Sequence, residues 1–260
     1  MKLYQIDSFT RQAFHGNPAG VWIGEQFPDD SAMQAIAAEV NASETAFVEH
    51  GKGCFQIRYF TPTREVPLCG HATLASAHML WELGIIKNGV PVVLQAHEVD
   101  LPISVSDGWV KMSFPRYAIS RIEQIDYLVP VIGAPIKEAF KSKNGWVVAR
   151  LFNEEALCNA HPNFPAIQAP LIAVTTESST IDYDYSVRVF CNPEYGITED
   201  PVTGAAQCIL APYWNKKLGK ASFHSRQLSR RGGEMMVDLL SDAVEINGQA
   251  VTVFTIDIHI

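Results

Sequence analysis

Two stretches decide the fold: residues 57–77, IRYFTPTREVPLCGHATLASA, and residues 187–207, VRVFCNPEYGITEDPVTGAAQ. Each begins as an apolar strand that contains an arginine and ends in phenylalanine. A proline follows two or three residues later, then a loop with an acidic residue and a run of small residues typical of a helix. Since strand, loop and helix agree in order, the pattern predicts an internal duplication, with coincidence as the alternative.

The duplication predicts an α+β fold made of two similar domains, each with one central helix. Prolines interrupt residues 114–142, so we place the boundary there and assign 1–115 and 116–260 to the two domains. The last strand, 250–260, is a candidate to return to the first domain. Clefts between domains are common ligand sites, so we expect an active site between the two.

Composition excludes several classes of protein. Of 260 residues, 47% are hydrophobic and 18% charged, which predicts a sizeable core. A net charge of −8 argues against nucleic-acid binding, and we see neither a signal peptide nor a membrane span. The five cysteines form no C-x-x-C pair, which argues against a disulfide framework and a metal site and favours a cytoplasmic location.

Both predicted helix starts carry glycine, at Gly70 and Gly204. The N-terminus of a helix carries about half a positive charge and N–H groups without helical partners, so two starts that face one cleft would hold a carboxylate. We therefore expect 70–73 and 203–206 to bind an anionic substrate. The alternative is that these residues are small only because the helices pack tightly.

Glu44, in NASETAFVE, is the first candidate for general acid/base catalysis. It lies between a predicted helix and an apolar strand, and desolvation of a carboxylate favours its protonated form. The alternative is an exposed glutamate at a strand edge or in a helix cap. Asp200 precedes the second helix start, where it is either a site residue or a simple partner of the helix dipole.

The sequence leaves the roles of four further residues undecided. His71 is a proton carrier or a core histidine, and Cys69 is a reactive thiol at a helix start or a small buried residue. Asn17 is a turn former or a substrate contact. His78 shares a helix face with Leu74 and Trp81 and is interpreted as core or interface.

Four motifs, in this order, carry a family resemblance: GNPAGV at 16–21, NASETAFV at 41–48, LCGHATLAS at 68–76 and EDPVTGA at 199–205. Together they resemble the phenazine-biosynthesis isomerase-like (PhzF-like) family, over nearly the whole chain. The resemblance implies a diaminopimelate epimerase-like fold: two pseudo-symmetric domains, each a rolled, mostly antiparallel sheet around a central helix. It also implies a homodimer and catalysis without a cofactor.

The resemblance implies a function as well. Glu44 would move a proton within a small carboxylate-bearing substrate, with Asp200 or His71 as its partner. The predicted substrate-binding residues share the two helix starts and their surroundings: Asn17, Ser43, Gly70, His71, Thr203, Gly204 and Ala205.

The sequence departs from the family pattern at Ala205 and Gln207, where many relatives have serine and histidine. In the epimerase relatives two cysteines face each other; here Cys69 is retained and the second position carries Asp200, which argues against two-thiol epimerisation.

The main prediction is a cofactor-independent isomerase. A racemase or epimerase that uses Cys69 and Asp200, and a non-catalytic binder of carboxylates, are the alternatives.

Overall fold

The computed structural model describes residues 1–51, 54–97 and 99–259. The chain divides into two compact units: Met1–Ser113 with Asn247–Ile260, and Phe114–Ile246. The predicted boundary at 115 lies two residues from the end of the first segment. Unlike the predicted second domain, the second unit ends at Ile246, because the chain after it pairs with the first strand; Ile260 lies outside the described residues.

In the first unit, the described residues form the helices α1 (Asp30–Val40) and α2 (Gly70–Glu82). Its strands are β1 (Lys2–Ser8), β2 (Asn17–Gly24), β3 (Glu44–Gly51), β4 (Cys54–Phe60), β5 (Glu65–Val66), β6 (Val92–Ala96), β7 (Val99–Ser106) and β8 (Trp109–Pro115). The last strand of the chain, β17 (Ala243–Asp257), returns to this unit.

These strands pair in a closed sequence. β1 pairs with β2, β2 with β3, β3 with β4, β4 with β6, β6 with β7, and β7 with β8. β8 pairs with β17, and β17 pairs antiparallel with β1 from Lys2↔Asp257 onwards. The β2–β3 and β4–β6 pairs are parallel, and each has a helix in its connection, as parallel neighbours require.

Helix α2 is the centre of this unit. Every residue from His71 to Leu80 is buried, so the helix has no solvent-facing stripe. Its buried hydroxyls bond to carbonyls of the same helix start and first turns: the Thr73 hydroxyl donates to the Cys69 carbonyl at 2.7 Å and the Ser76 hydroxyl to the Ala72 carbonyl at 2.8 Å. His78 is confirmed as a core residue; burial lowers its pKa, although Glu82 lies 3.3 Å from its Nε2.

The second unit contains the helices α3 (Val129–Ile132), α4 (Glu154–Cys158) and α5 (Gln207–Leu218). Its strands are β9 (Ile119–Ile122), β10 (Ile136–Ser142), β11 (Val147–Leu151), β12 (Leu171–Glu177), β13 (Tyr185–Cys191), β14 (Glu199–Asp200), β15 (Ser222–Gln227), β16 (Gly233–Leu239) and the first residues of β17.

The second unit repeats the element order of the first. β10 and β11 pair antiparallel, as β1 and β2 do, and β11 pairs parallel with β12 across α4. β13 then pairs antiparallel with β12 and β14 and parallel with β15, as β4 does with β3, β5 and β6. Helices α2 and α5 therefore occupy the same place in the two element orders.

The second helix start differs from the prediction in detail. A 3-10 turn, Gly204–Ala206, precedes α5, so the α-helix itself begins at Gln207. Such tighter turns are frequent at helix N-termini. The helix ends as predicted, with Lys216 and Lys217 in its last turn and Gly219 in the left-handed conformation.

One ion pair recurs in both units. Arg58 on β4 forms a two-pronged pair with Glu65 on β5, with both N–O distances at 2.7 Å. Arg188 on β13 pairs in the same way with Glu199 on β14, at 2.8 and 2.9 Å. In each unit the pair ties the central strand to the short strand that leads to the buried helix.

Among the described residues, no helix has the length and apolar character needed to cross a membrane.

We expect the two arginines to differ in their importance for stability. Arg188 also donates to the carbonyls of Leu157 and Ala160, both at 3.0 Å, and its side chain is 13% exposed against 27% for Arg58. Lysine cannot reproduce a planar two-pronged pair. We expect Arg188→Lys to lower the free energy of unfolding by about 1–3 kcal/mol. Arg58→Lys should cost less than about 1 kcal/mol, as exposed pairs do. Urea denaturation measures both, and equal losses would contradict the assignment.

Candidate active site

Three chemically distinct side chains meet in the first unit at the start of α2. Glu44 is the first residue of β3, Cys69 is the residue that caps α2, and His71 is in its first turn. His71 Nε2 lies 3.4 Å from Glu44 Oε2, and Cys69 Sγ lies 3.4 Å from His71 Nδ1. The imidazole therefore lies between a carboxylate and a thiol.

The His71 ring is held from several sides. The Ser8 hydroxyl donates to the His71 carbonyl at 2.7 Å, which anchors the backbone. The Ser43 hydroxyl lies 3.3 Å from Nε2, beside the Glu44 carboxylate. A neutral imidazole donates from one nitrogen and accepts at the other. Each ring nitrogen here faces a group that can exchange a proton with it.

Exposure distinguishes the members of this group. The side chains of Glu44 and His71 are 19% and 8% exposed, and Cys69 is buried. The residues after Glu44 on β3, Thr45, Ala46 and Phe47, are fully buried. Burial of the strand fixes the glutamate backbone while the carboxylate keeps partial access to solvent. Glu44 is therefore the member best placed to meet an external molecule.

The start of α2 is not capped by a side chain. Cys69 has extended backbone angles, and its side chain makes no capping bond to the backbone N–H groups of the first turn. The first intrahelical bond runs from Thr73 N–H to the Cys69 carbonyl at 3.0 Å. The earlier N–H groups of a helix have no helical partner and concentrate positive potential, which suits an anion.

A buried tyrosine holds this helix start in place. The Thr73 hydroxyl donates to the Cys69 carbonyl at 2.7 Å, so Tyr59, whose oxygen lies 2.6 Å from it, is the donor in their contact. Burial raises the pKa of Tyr59, which keeps that proton in place. Tyr59 is not among the predicted site residues, because a tyrosine in an alternating strand carries no signal of this contact.

Asn17 is fully buried at the start of β2, opposite Ser8 in the β1–β2 register. The preceding Gly16 has φ of +66°, and a Cβ there would lie 2.1 Å from the Ser8 carbonyl oxygen. Only glycine fits this turn. Asn17 is thus next in the sheet to the serine that anchors His71.

The predicted residues of the second helix start form a separate group in the second unit. The Thr203 hydroxyl donates to the Asp200 carboxylate, and Gln227 Nε2 donates to the Asp200 carbonyl at 2.6 Å. Thr203 N–H donates to Gln227 Oε1 at 3.0 Å. This N–H therefore already has an acceptor within the protein, and Thr203 stays a predicted substrate contact. Gln227 lies on β15, 24 residues further along the chain than Thr203, and no sequence signal connects it to this turn.

Gln207 is a core residue. Its side chain is fully buried and accepts from the Tyr185 hydroxyl at 2.5 Å, while Nε2 has no acceptor among the described residues. Gly204 is buried and Ala205 partly exposed, so Ala205 is the member of this turn with a side chain nearest to solvent.

The first group contains residue types that bind metal ions, and one donor atom from each of Glu44, Cys69 and His71 lies within 4.8 Å of the others. The thiol faces His71 Nδ1 and the carboxylate faces Nε2, so the two do not point to one coordination centre.

Comparison with known proteins decides the family. The family model described as "Phenazine biosynthesis-like protein" matches residues 6–256. The chain belongs to this phenazine biosynthesis-like family. An uncharacterized isomerase of Halalkalibacterium halodurans is 40% identical over 96% of both chains. A crystal structure of a putative phenazine biosynthesis protein from Clostridium difficile superposes with a TM-score of 0.92, at 34% identity and full coverage of both chains.

A more distant structure supports the fold alone: a probable proline racemase from Agrobacterium radiobacter, with a TM-score of 0.62 and 14% identity, covering 99% of this chain and 92% of that one. Membership of the phenazine biosynthesis-like family and the isomerase names of the relatives confirm that this chain is an enzyme of the isomerase type. They name neither a substrate nor a mechanism.

The two buried tyrosines at the helix starts should differ in their effect on stability. Tyr59→Phe leaves Thr73 bonded to the Cys69 carbonyl, so we expect a loss of about 0.5–1.5 kcal/mol. Tyr185→Phe leaves the buried amide of Gln207 without its donor, so we expect about 1–3 kcal/mol. Thermal and urea unfolding of both variants measure the difference. A larger loss for Tyr59→Phe would contradict this view of the two helix starts.

Proposed function

We propose that this protein is a cofactor-independent isomerase that moves a proton within a small carboxylate-bearing substrate. Glu44 is the general base. The observation that carries the proposal is the partly exposed Glu44 carboxylate, 3.4 Å from the buried imidazole of His71, at the start of a buried helix.

The reaction begins with a carbon that a neighbouring carboxylate or double bond makes acidic. Glu44 takes the proton, and the electron pair of the broken C–H bond spreads into the unsaturated system. Glu44, assisted by His71 or Asp200, then returns a proton to another carbon of the same molecule, so the atoms balance without an oxidant or a reductant. His71 Nε2 orients the carboxylate and shares the proton in transit.

The start of α2 supplies the electrostatic part of the mechanism. Its first N–H groups stabilise the substrate carboxylate and the negative charge that develops as the proton leaves. These dipoles are fixed by a buried helix, so they need little reorganisation during the reaction. Gly70 lets the substrate approach the backbone closely.

Asp200 and Thr203 are the proposed contribution of the second unit. The hydroxyl of Thr203 holds the Asp200 carboxylate in one orientation, as a positioned acid or substrate contact requires. Four further residues remain predicted contacts of the substrate: Asn17, Ser43, Gly204 and Ala205. A homodimer also remains a prediction.

One observation favours an alternative reaction. The Cys69 thiol lies 3.4 Å from His71 Nδ1, a distance at which the imidazole can take its proton. A thiolate on one side of a substrate carbon is what a racemase or epimerase needs. Solvent deuterium exchange separates the possibilities: double-bond movement indicates the isomerase, loss of stereochemistry at one carbon the epimerase, and binding without exchange a non-catalytic protein.

The general base is tested by Glu44→Gln, which keeps the shape of the side chain and removes its basicity. We expect proton exchange into a panel of small unsaturated, amino and hydroxy acids to fall by at least about 100-fold, as loss of a general base does. Affinity for the carboxylate should stay within a few-fold. Exchange is measured by mass spectrometry in deuterated water.

The matched control is Glu39→Gln, the same chemical change at an exposed position on α1. It should exchange at the wild-type rate. Exchange retained in a folded Glu44→Gln protein would rule out the proposed base.

Anion binding by the helix start is tested by Gly70→Val. A branched side chain there blocks close approach to the backbone, so carboxylate affinity measured by calorimetry should fall by at least about tenfold. Ala205→Ser adds a hydroxyl donor at a partly exposed position and should leave affinity unchanged or raise it. Unchanged affinity in a Gly70→Val protein with a normal melting temperature would show that this helix start does not hold the ligand.

A further inference from the structure

We propose that the outer face of helix α1 and the end of strand β17 form the surface through which two copies of this chain associate. The proposal assigns a surface to the predicted homodimer and is independent of the reaction proposed above. A groove of about 480 Å³ lies between the two elements. One wall is formed by Ala32, Ala35 and Val40 of α1, and the other by Ile256 and Ile258 at the end of the chain.

The internal duplication shows how the equivalent face of the second unit is covered. There β9 pairs antiparallel with β10, as β17 pairs with β1 in the first unit. The segment 126–132, which follows β9 and ends in α3, packs over this face. Its Leu128 and Ile132 are buried in one cluster with Leu157 of α4. The second unit therefore covers this face with an apolar helical segment of its own.

The first unit leaves the same face open. Leu3, Met33 and Ile36 are buried beneath it, whereas Val40 and Ile258 are only partly buried. Among the residues that the structure describes, none forms a counterpart of the second unit's covering segment at this place. Apolar surface that stays in water is unfavourable, and a contiguous apolar patch is typical of a surface that binds another protein.

The apolar surface extends beyond the groove along β17. Ile256 is 40% exposed, and Phe254, two residues earlier on the same side of the strand, is 48% exposed. On α1 the exposed side chain at the groove is Ala35, which is small enough to let another helix approach closely. The surface therefore combines a flat helix face with two large apolar side chains.

The chemistry of this surface favours a second copy of the chain as its partner. A two-fold dimer pairs one patch with itself, so the patch must be self-complementary. An apolar centre meets an identical apolar centre, as in homodimer interfaces, which are depleted in charge. The groove has one acidic residue, Glu39, and one histidine, His259, at its rim. Across a two-fold axis these two can face each other, whereas a strongly charged partner finds no matching field here.

The test is the mass of the full chain in solution, measured by light scattering over a dilution series. Wild type should have the mass of two chains at micromolar concentration. Ala35→Arg should raise the dissociation constant of the dimer by at least about 100-fold, because the interface would bury a charge without a partner. Ile256→Arg changes the opposite wall and should act in the same way. Both positions are exposed in the single chain, so both variants should keep a normal melting temperature.

The matched control is Ala38→Arg, the same change at an exposed position of α1 outside the groove, and it should remain a dimer. Dimers retained by folded Ala35→Arg and Ile256→Arg proteins would overturn this surface and leave the homodimer prediction standing. A single-chain mass for wild type would overturn both. A dimeric wild type that takes up an apolar dye, with the uptake lost in Ala35→Arg, would show a ligand groove in place of an interface and also overturn the proposal.

Discussion

A buried helix must satisfy the N–H groups at its start, and this constraint governs the arrangement of the candidate site. Helix α2 is buried from His71 to Leu80, so its free end is where it can act on a ligand. No side chain caps that end, and Cys69 points its thiol to His71 instead. A buried helix start without a cap lowers the stability of the protein unless water or a ligand accepts hydrogen bonds from its N–H groups. The helix start proposed to bind the ligand is therefore also a place where the protein loses some stability.

The same constraint explains the buried hydroxyls around α2. Thr73 and Ser76 bond to carbonyls of their own helix, and Tyr59 completes the first of these bonds from β4. Each bond gives a hydrogen-bond partner to a buried polar group that would otherwise lack one. Together they hold Cys69 and His71 in fixed positions, which proton transfer requires.

The two units use one plan with different chemistry. Arg58 with Glu65 and Arg188 with Glu199 tie equivalent strands together, so this ion pair belongs to the shared scaffold. The helix starts then diverge. The first brings together a carboxylate, an imidazole and a thiol, whereas in the second Thr203 is bonded to Asp200 and Gln227 within the protein. Because the strands and their ion pairs hold each unit together, the residues at the two helix starts can differ without loss of the shared fold.

The sequence by itself determined the element order, the family and the prominence of Glu44 and His71, because strand alternation, helix stops such as Gly219 and short motifs are local signals. It predicted neither the role of Tyr59 nor that of Gln227, which lie far along the chain from the groups they bond. It also placed Glu44 and Cys69 in separate motifs and could not predict that their side chains converge on one imidazole. Only the tertiary structure decided this, because hydrogen bonds and proton transfer depend on distances in space that separation along the chain does not encode.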